Sequence, residues 1–159
     1  MVRPLDPSKL NEHPEPKGWS VGQVLEHLCR ADELYDAPFA ALMRGARPDA
    51  GAPTRDWKSS FIGGLIAGSL LGAKPLKGPK VFHPGQTPRN GVVEQVLSRE
   101  LTFVKVLDDA ASYDWRALRI GSPALPSWAP KMNLGDGFRI HVVHVTRHSK
   151  QIARLIGQL

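Results

Sequence analysis

Apolar residues recur at the spacing of an α-helix in three long stretches, and this periodicity limits the possible folds more than any other feature of the chain. The stretches lie near residues 20–37, 88–110 and 134–157, and each has one apolar face. No segment shows the strict alternation of apolar and polar residues that indicates a half-buried strand. The pattern therefore predicts an all-α protein, an antiparallel helix bundle with a long crossover and no sheet.

The first of these helices has a clear start and a proline inside it. Ser20 and Gln23 form the pattern of a capping box, and Trp19 can pack on Val24 one turn later. The proline ring removes a backbone donor and clashes with the preceding turn. We therefore expect Pro38 to kink or end the helix.

The second and third helices also have recognisable starts. Thr87 before Pro88 is a favourable opening for the second. Asn133 can cap the third, and Asp136 lies in the first turn, where a carboxylate favours the helix dipole. The second helix is predicted to bury one face, made up of Val92, Val93, Val96, Leu97, Leu101, Val104 and Leu107.

The segments between these helices are rich in glycine and proline. Residues 45–56 are predicted to be a loop, 74–88 an extended crossover, and 113–131 a further connection. The apolar segment 61–73 contains four glycines and is too short to span a membrane, which takes roughly 20 apolar residues. It is predicted to include a short helix, and neither it nor the crossover is expected to carry chemistry.

Length, charge and cysteine content limit the class of protein. A chain of 159 residues suits one domain, 1–159, in which residues 1–18 form an irregular N-terminal segment. The net charge of +6 is spread along the chain without a basic run, so nucleic acid is not the expected partner. A single cysteine, Cys29, and the absence of a signal-peptide pattern predict a soluble, cytoplasmic protein that does not contact a membrane.

Histidines on two of the predicted helices could form a metal site. His144 and His148 are four residues apart, so about 40° separates them around the helix, and both can reach one ion. His27 lies on the apolar side of the first helix, where a neutral histidine needs a partner. The spacing alone leaves two alternatives open, a three-histidine metal site or ordinary core and surface histidines.

Four segments resemble the DinB-like (YfiT-type) superfamily, in the same order and with similar spacing. They are GWSVGQVLEHL, KGPKVFHP, GSPALP and LGDGFRIHVVHVTRHSKQIARL. The most specific features are a helix that starts with Trp-Ser and has a histidine seven residues after the serine, and a closing H-x-x-x-H followed by Gln-Ile. The resemblance extends over most of the chain from Trp19 to Leu155.

The resemblance implies a four-helix bundle in which His27, His144 and His148 bind one divalent metal ion, usually zinc or nickel. Three nitrogen ligands leave a position open for water or a substrate thiolate, as in catalytic sites. Characterised members include thiol-dependent S-transferases and an isomerase. The resemblance thus favours a metal-dependent enzyme, an S-transferase or hydrolase that acts on a small molecule with a low-molecular-weight thiol. No catalytic residue is assigned. The alternative is a non-catalytic binding or stress-response protein that keeps the fold and the metal.

The start of the chain departs from the family pattern. Only 18 residues, four of them prolines, precede Trp19, so the first helix of the bundle is short or absent. Either the start is truncated or a partner covers the exposed groove. We therefore expect a homodimer.

Other residues with reactive or charged side chains receive weaker assignments. Cys29 points away from His27 around the helix and is expected to pack as a small apolar residue. His13 and His83, each before a proline, are expected to be surface residues. The roles of four more residues stay open between contact with the site and solvation: His141, Arg147, Glu26 and Glu33.

Overall fold

The computed structural model describes residues 6–14, 16, 18–52, 56–72 and 78–159. Within these ranges the chain forms the helices α1 (Val21–Gly45), α2 (Phe61–Leu71), α3 (Val92–Ala110) and α4 (Leu134–Ile156). Short 3₁₀ helices occur at Pro7–Asn11 and Lys80–Phe82, and two strands at β1 (Arg119–Ile120) and β2 (Met132–Asn133). The all-α prediction is confirmed.

One detail of the predicted architecture is wrong, because the chain does contain a small sheet. β1 and β2 pair antiparallel with two residues in each strand, and they join the connection before α4 to the start of that helix. In the described part of the N-terminal segment, Leu10 of the 3₁₀ helix Pro7–Asn11 packs on the apolar cluster of Val21, Val24 and Leu155. This short helix contacts α1 beside the end of α4.

The capping box of α1 is present, but Pro38 does not end the helix. The Ser20 hydroxyl accepts from the Gln23 amide, and the Gln23 side chain accepts from the Ser20 amide. α1 continues through Pro38 to Gly45. A proline inside a helix costs about 3 kcal/mol. Burial of Phe39 and Leu42, which pack in two apolar clusters beyond the proline, offsets that cost.

α3 begins four residues later than predicted and presents a different face to the core. Its cap is Gly91, whose φ of 66° suits glycine, and Thr87 and Pro88 belong to the crossover instead. Leu97, Leu101 and Val104, predicted to be buried, are 60%, 68% and 54% exposed. Val92 is buried and Leu107 packs in an apolar cluster, as predicted, but the buried side is shifted around the helix, with Ala110 at its end and Phe103 and Val106 packed towards α1 and α4.

The start of α4 is tied to α2 by side-chain hydrogen bonds. Asn133 and Asp136 form a capping box, as predicted for the cap. The buried Asp136 carboxylate also accepts from the Ser59 hydroxyl and from the Ser60 hydroxyl and amide. A Cβ on Gly63 would lie 2.0 Å from the Asp136 carboxyl carbon, so only glycine allows this close approach of α2.

Contacts along the helices give their relative directions. Val21 and Val24 at the start of α1 pack on Leu155 near the end of α4, so α1 and α4 are antiparallel. α3 packs on α1 and also contacts α4 through Phe103, and α2 packs on α4. No helix within the described ranges has both the length and the apolar character needed to span a lipid bilayer. The middle of the α1–α4 interface contains the predicted histidines.

Candidate functional site

Three imidazole rings meet between α1 and α4. The ring centroid of His27 lies 4.9 Å from that of His144 and 4.7 Å from that of His148, and the latter two are 4.6 Å apart. The Nε2 atoms of His27 and His144 are separated by 2.9 Å. One nitrogen from each ring lies within 4.8 Å of the other two. The structure thus brings together the three residues that the sequence singled out, which we call the histidine cluster.

Helix geometry explains why these rings meet. Residues four apart on a helix lie one turn apart on the same face, so His144 and His148 project from α4 side by side. Because α1 runs antiparallel to α4, His27 in its second turn lies level with the later half of α4. Trp19 stands just before α1, with its ring 5.0 Å from that of His27.

The histidine cluster is largely buried, with His144 partly exposed, and it is uncharged at neutral pH. His27 is 5% exposed and His148 is 8% exposed. Burial, followed by the charge of the neighbouring histidines, lowers the pKa of His144 to about 2. Burial and the charge of His27 lower the pKa of His148 to about 4, and burial also lowers the pKa of His27. A neutral imidazole keeps a nitrogen lone pair, which is what a metal ion requires.

Hydrogen bonds on the far side of two rings orient the donor atoms. Nδ1 of His27 lies 2.7 Å from the carbonyl oxygen of Phe82, and Nδ1 of His148 lies 2.8 Å from Oε1 of Gln151. Both partners are oxygens that accept, so each Nδ1 carries the proton and donates it. The lone pair is then on Nε2 in both rings. This is the arrangement that supports a metal-bound histidine, and the donor set fits a divalent ion.

Sequence reasoning missed Phe82 and Gln151. Phe82 ends the 3₁₀ helix Lys80–Phe82, in the crossover that was expected to carry no chemistry. Its contribution is a backbone carbonyl, which every residue has, so the residue type gives no signal. Gln151 had a usable signal, because it follows His148 by three residues and so lies on the same side of α4.

His141 lies outside the histidine cluster and is held by two carboxylates. Its Nδ1 is 3.2 Å from Asp32 and its Nε2 is 3.2 Å from Glu100, and the ring stacks on Phe103 with centroids 3.7 Å apart. Burial lowers the pKa of His141, but the hydrogen bonds to Asp32 and Glu100 outweigh that effect and raise the pKa to about 9. The ring is therefore a cation with both nitrogens occupied.

Glu26 and Glu33, whose roles the sequence left open, bind an arginine that lies just before α3. Arg89 Nε lies 2.7 Å from Glu26, and its Nη1 lies 2.5 Å from Glu33. The hydrogen bonds to Arg89 lower the pKa of both carboxyl groups. The network joins α1 to the residues before α3.

Of the other side chains considered from the sequence, that of Arg147 borders the histidine cluster. Arg147 donates to the carbonyls of Leu70 and Gly72 and lines the same cavity as the three histidines. Cys29 is a buried free thiol whose pKa is raised by burial, as a packing role predicts. His13 and His83 are exposed and hydrogen-bond to backbone carbonyls.

Two cavities adjoin His144. The smaller, of about 270 Å³, is lined by the histidine cluster, Trp19 and Arg147. The larger, of about 540 Å³, lies between α1, α3 and α4. Both are lined by Ala31, Tyr35, Ile140 and His144. His144 is therefore the member of the cluster that borders both spaces.

A family model described as the DinB superfamily matches residues 1–152. No curated protein and no solved structure matches the chain.

Proposed function

This chain belongs to the DinB superfamily, and we propose that it binds one divalent metal ion through His27, His144 and His148. The observation that carries the proposal is the meeting of three neutral imidazoles, two buried and one partly buried, with one donor nitrogen each inside a 4.8 Å limit. Burying three polar rings with their donor nitrogens turned towards one another is costly, and a shared ion offsets that cost.

Zinc or nickel is the proposed ion, since imidazole nitrogen suits both. When bound by three nitrogens, such an ion supplies Lewis-acid activation of a thiol or water at its open position. The chain itself supplies orientation and charge. Phe82 and Gln151 fix the rings of His27 and His148, while Arg147 adds a positive charge to the small cavity, where it favours an anionic group.

We propose further that the protein is a metal-dependent S-transferase or hydrolase that uses a low-molecular-weight thiol. Support comes from the cavity beside the cluster, which gives a small molecule access to His144 and His148. The second candidate is a non-catalytic binding or stress-response protein with the same fold and metal. Thiol-dependent turnover that chelation abolishes favours the enzyme, whereas bound metal without turnover in a screen of thiols and electrophiles favours the second candidate.

The metal site can be tested by content and affinity. Protein purified without a chelator or a histidine tag is expected to contain about one zinc or nickel ion per chain. His144→Ala and His148→Ala should each lower zinc affinity at least about a hundredfold in a chelator competition, because each removes one of three ligands.

His13→Ala and His83→Ala are the matched controls, and zinc affinity should not change in either. Equal loss in these controls, or wild-type affinity in His144→Ala and His148→Ala with folding shown by circular dichroism, would exclude the proposed site.

We also keep three broader proposals: one domain over residues 1–159, a cytoplasmic location and a homodimer. The single free thiol supports the location. The dimer is supported by the exposed apolar row of Leu97, Leu101 and Val104 on α3. Leu101→Glu should convert a dimer to a monomer in sedimentation velocity, because it puts a charge in the centre of that row.

Phe61→Glu is a control for the dimer, since Phe61 is also an exposed apolar residue but lies on α2. It should leave the association state unchanged. A wild-type protein that stays monomeric at high concentration would contradict the dimer without affecting the metal site.

A further inference from the structure

The larger cavity has an aromatic and apolar wall that the metal site does not explain. It lies between α1, α3 and α4, and Phe39, Phe103 and Phe138 contribute rings to its lining. The Phe138 ring lies 6.0 Å from that of Phe39 and 5.9 Å from that of Phe103, both in tilted or edge-to-face arrangements. A volume of about 540 Å³ is in the range of small-molecule sites. Aromatic ligands gain from such walls, since rings pack edge to face.

The charged side chains of this cavity are matched in pairs. His141 lies 3.2 Å from Asp32, and Arg99 lies 3.2 Å from Asp36. Among the residues that the structure describes, these four are the charged ones of its lining. A charged ligand would have to compete with an existing pair, whereas an uncharged one leaves both intact. The cavity therefore favours a ligand part that is apolar and uncharged.

The position of the cavity connects it to the histidine cluster. Ala31, Tyr35, Ile140 and His144 line both the larger and the smaller cavity. A molecule that extends past these residues reaches from the aromatic wall to the side of His144. The smaller cavity has a different character, with three imidazoles and the Arg147 guanidinium.

We propose that the larger cavity binds the uncharged aromatic body of a small substrate whose polar or anionic reacting end lies in the smaller cavity at the histidine cluster. The substrate class is thus an aromatic compound with a thiol, or a group that a thiol attacks, at one end. The reacting end of this assignment rests on the proposed function, while occupation of the larger cavity does not.

The first test uses 2-naphthol, an uncharged aromatic probe, with full-length protein treated with a chelator. Isothermal titration calorimetry should detect saturable binding at one site per chain. Thr102→Trp and Val106→Trp add bulk at two positions of the cavity lining, and each should weaken binding about tenfold or more. Two positions are used because one indole could turn away to solvent.

Lys105→Trp is the matched control, next to Val106 on α3, exposed, outside the cavity lining and outside the apolar row proposed for the dimer. Binding of 2-naphthol should stay within about twofold of wild type. Absence of binding to the wild type would overturn the proposal. So would wild-type affinity in both cavity variants, or equal weakening in Lys105→Trp.

The second test separates the cavity from the metal site. Zinc-loaded protein should bind 2-naphthalenethiol at least about tenfold more tightly than chelator-treated protein, whereas zinc should not change the affinity for 2-naphthol. Equal effects of zinc on both probes would overturn the link between the cavity and the cluster. Failure to load zinc, with 2-naphthol still bound, would reject the proposed metal site and leave the cavity assignment in place.

Discussion

α4 holds histidines in two opposite charge states within two turns. His144 and His148 face His27 and have pKa values lowered to about 2 and about 4. His141, one turn before His144, has a pKa raised to about 9. All three rings are largely buried and belong to the same amphipathic helix. The difference comes from what faces them, which is other imidazoles in one case and two carboxylates in the other.

The comparison shows that burial alone does not decide whether a histidine is neutral or charged. Burial favours the neutral ring everywhere, but the hydrogen bonds of Asp32 and Glu100 reverse this at His141. The result is a fixed cation beside a group of neutral donors. The charge of a nearby cation also lowers the pKa of His144, so His141 helps to keep the histidine cluster deprotonated.

The largest expected effect is an acid sensitivity of the metal-free protein. In the unfolded chain the cluster histidines bind protons near pH 6.5, whereas His148 in the folded protein does so near pH 4. The unfolded state therefore binds more protons as pH falls below 6.5, and the free energy of unfolding should drop by at least about 3 kcal/mol between pH 6.5 and 4.5. Urea unfolding at each pH, in the presence of a chelator, measures the drop.

His144→Leu tests whether the histidine cluster causes this effect. The variant has one titrating ring fewer, so its loss of stability over the same pH range should be clearly smaller than that of the wild type. An identical loss in both proteins would mean that groups elsewhere are responsible.

A smaller effect of opposite sign is expected from His141. Its pKa is raised in the folded protein, so its stabilisation is complete below pH 6.5 and is lost as pH rises through about 9. The free energy of unfolding should fall by about 2 kcal/mol between pH 6.5 and 9. His141→Gln should lower stability at pH 6.5 and remove most of this slope. A slope that persists in His141→Gln would contradict the assignment of the cation.

The smallest effect is expected from the residues that hydrogen-bond to the neutral His148 and to the charged His141. Gln151→Leu removes the acceptor for Nδ1 of His148, and zinc affinity should fall about tenfold, as is typical when a ligand histidine loses its support. Asp32→Asn removes a partner of His141 instead, and zinc affinity should stay within about threefold of wild type. If Asp32→Asn weakened zinc binding as much as Gln151→Leu, the two groups would not be functionally separate.

The features that sequence predicted correctly depend on local spacing. The capping boxes at Ser20 and Asn133 are formed within one turn of helix, so the residues that make them are adjacent in sequence. The pairing of His144 with His148 is also local. That His27 lies level with them needed the resemblance to a known bundle, since spacing alone left ordinary histidines as an alternative.

The features that sequence reasoning missed depend on contacts between elements. On α3, Phe103 and Val106 pack against α1 and α4. The row of Leu97, Leu101 and Val104 therefore faces outward. α1 continues through Pro38 because burial of apolar residues after the proline offsets its cost. The cation at His141 depends on Asp32 and Glu100 from two other helices, and the orientation of His27 depends on a backbone carbonyl.

The hydrogen bonds around Asp136 have a consequence for protein engineering. Ser59 and Ser60 bind that carboxylate and Trp57 donates to Asn133, so side chains, and not the connection from α1, hold α2 against α4. The closure entropy of a loop rises by only about 0.6 kcal/mol for each doubling of its length. A peptide epitope or a fluorescent-label sequence spliced into the connection between α1 and α2 should therefore leave the histidines on α1 and α4 in register.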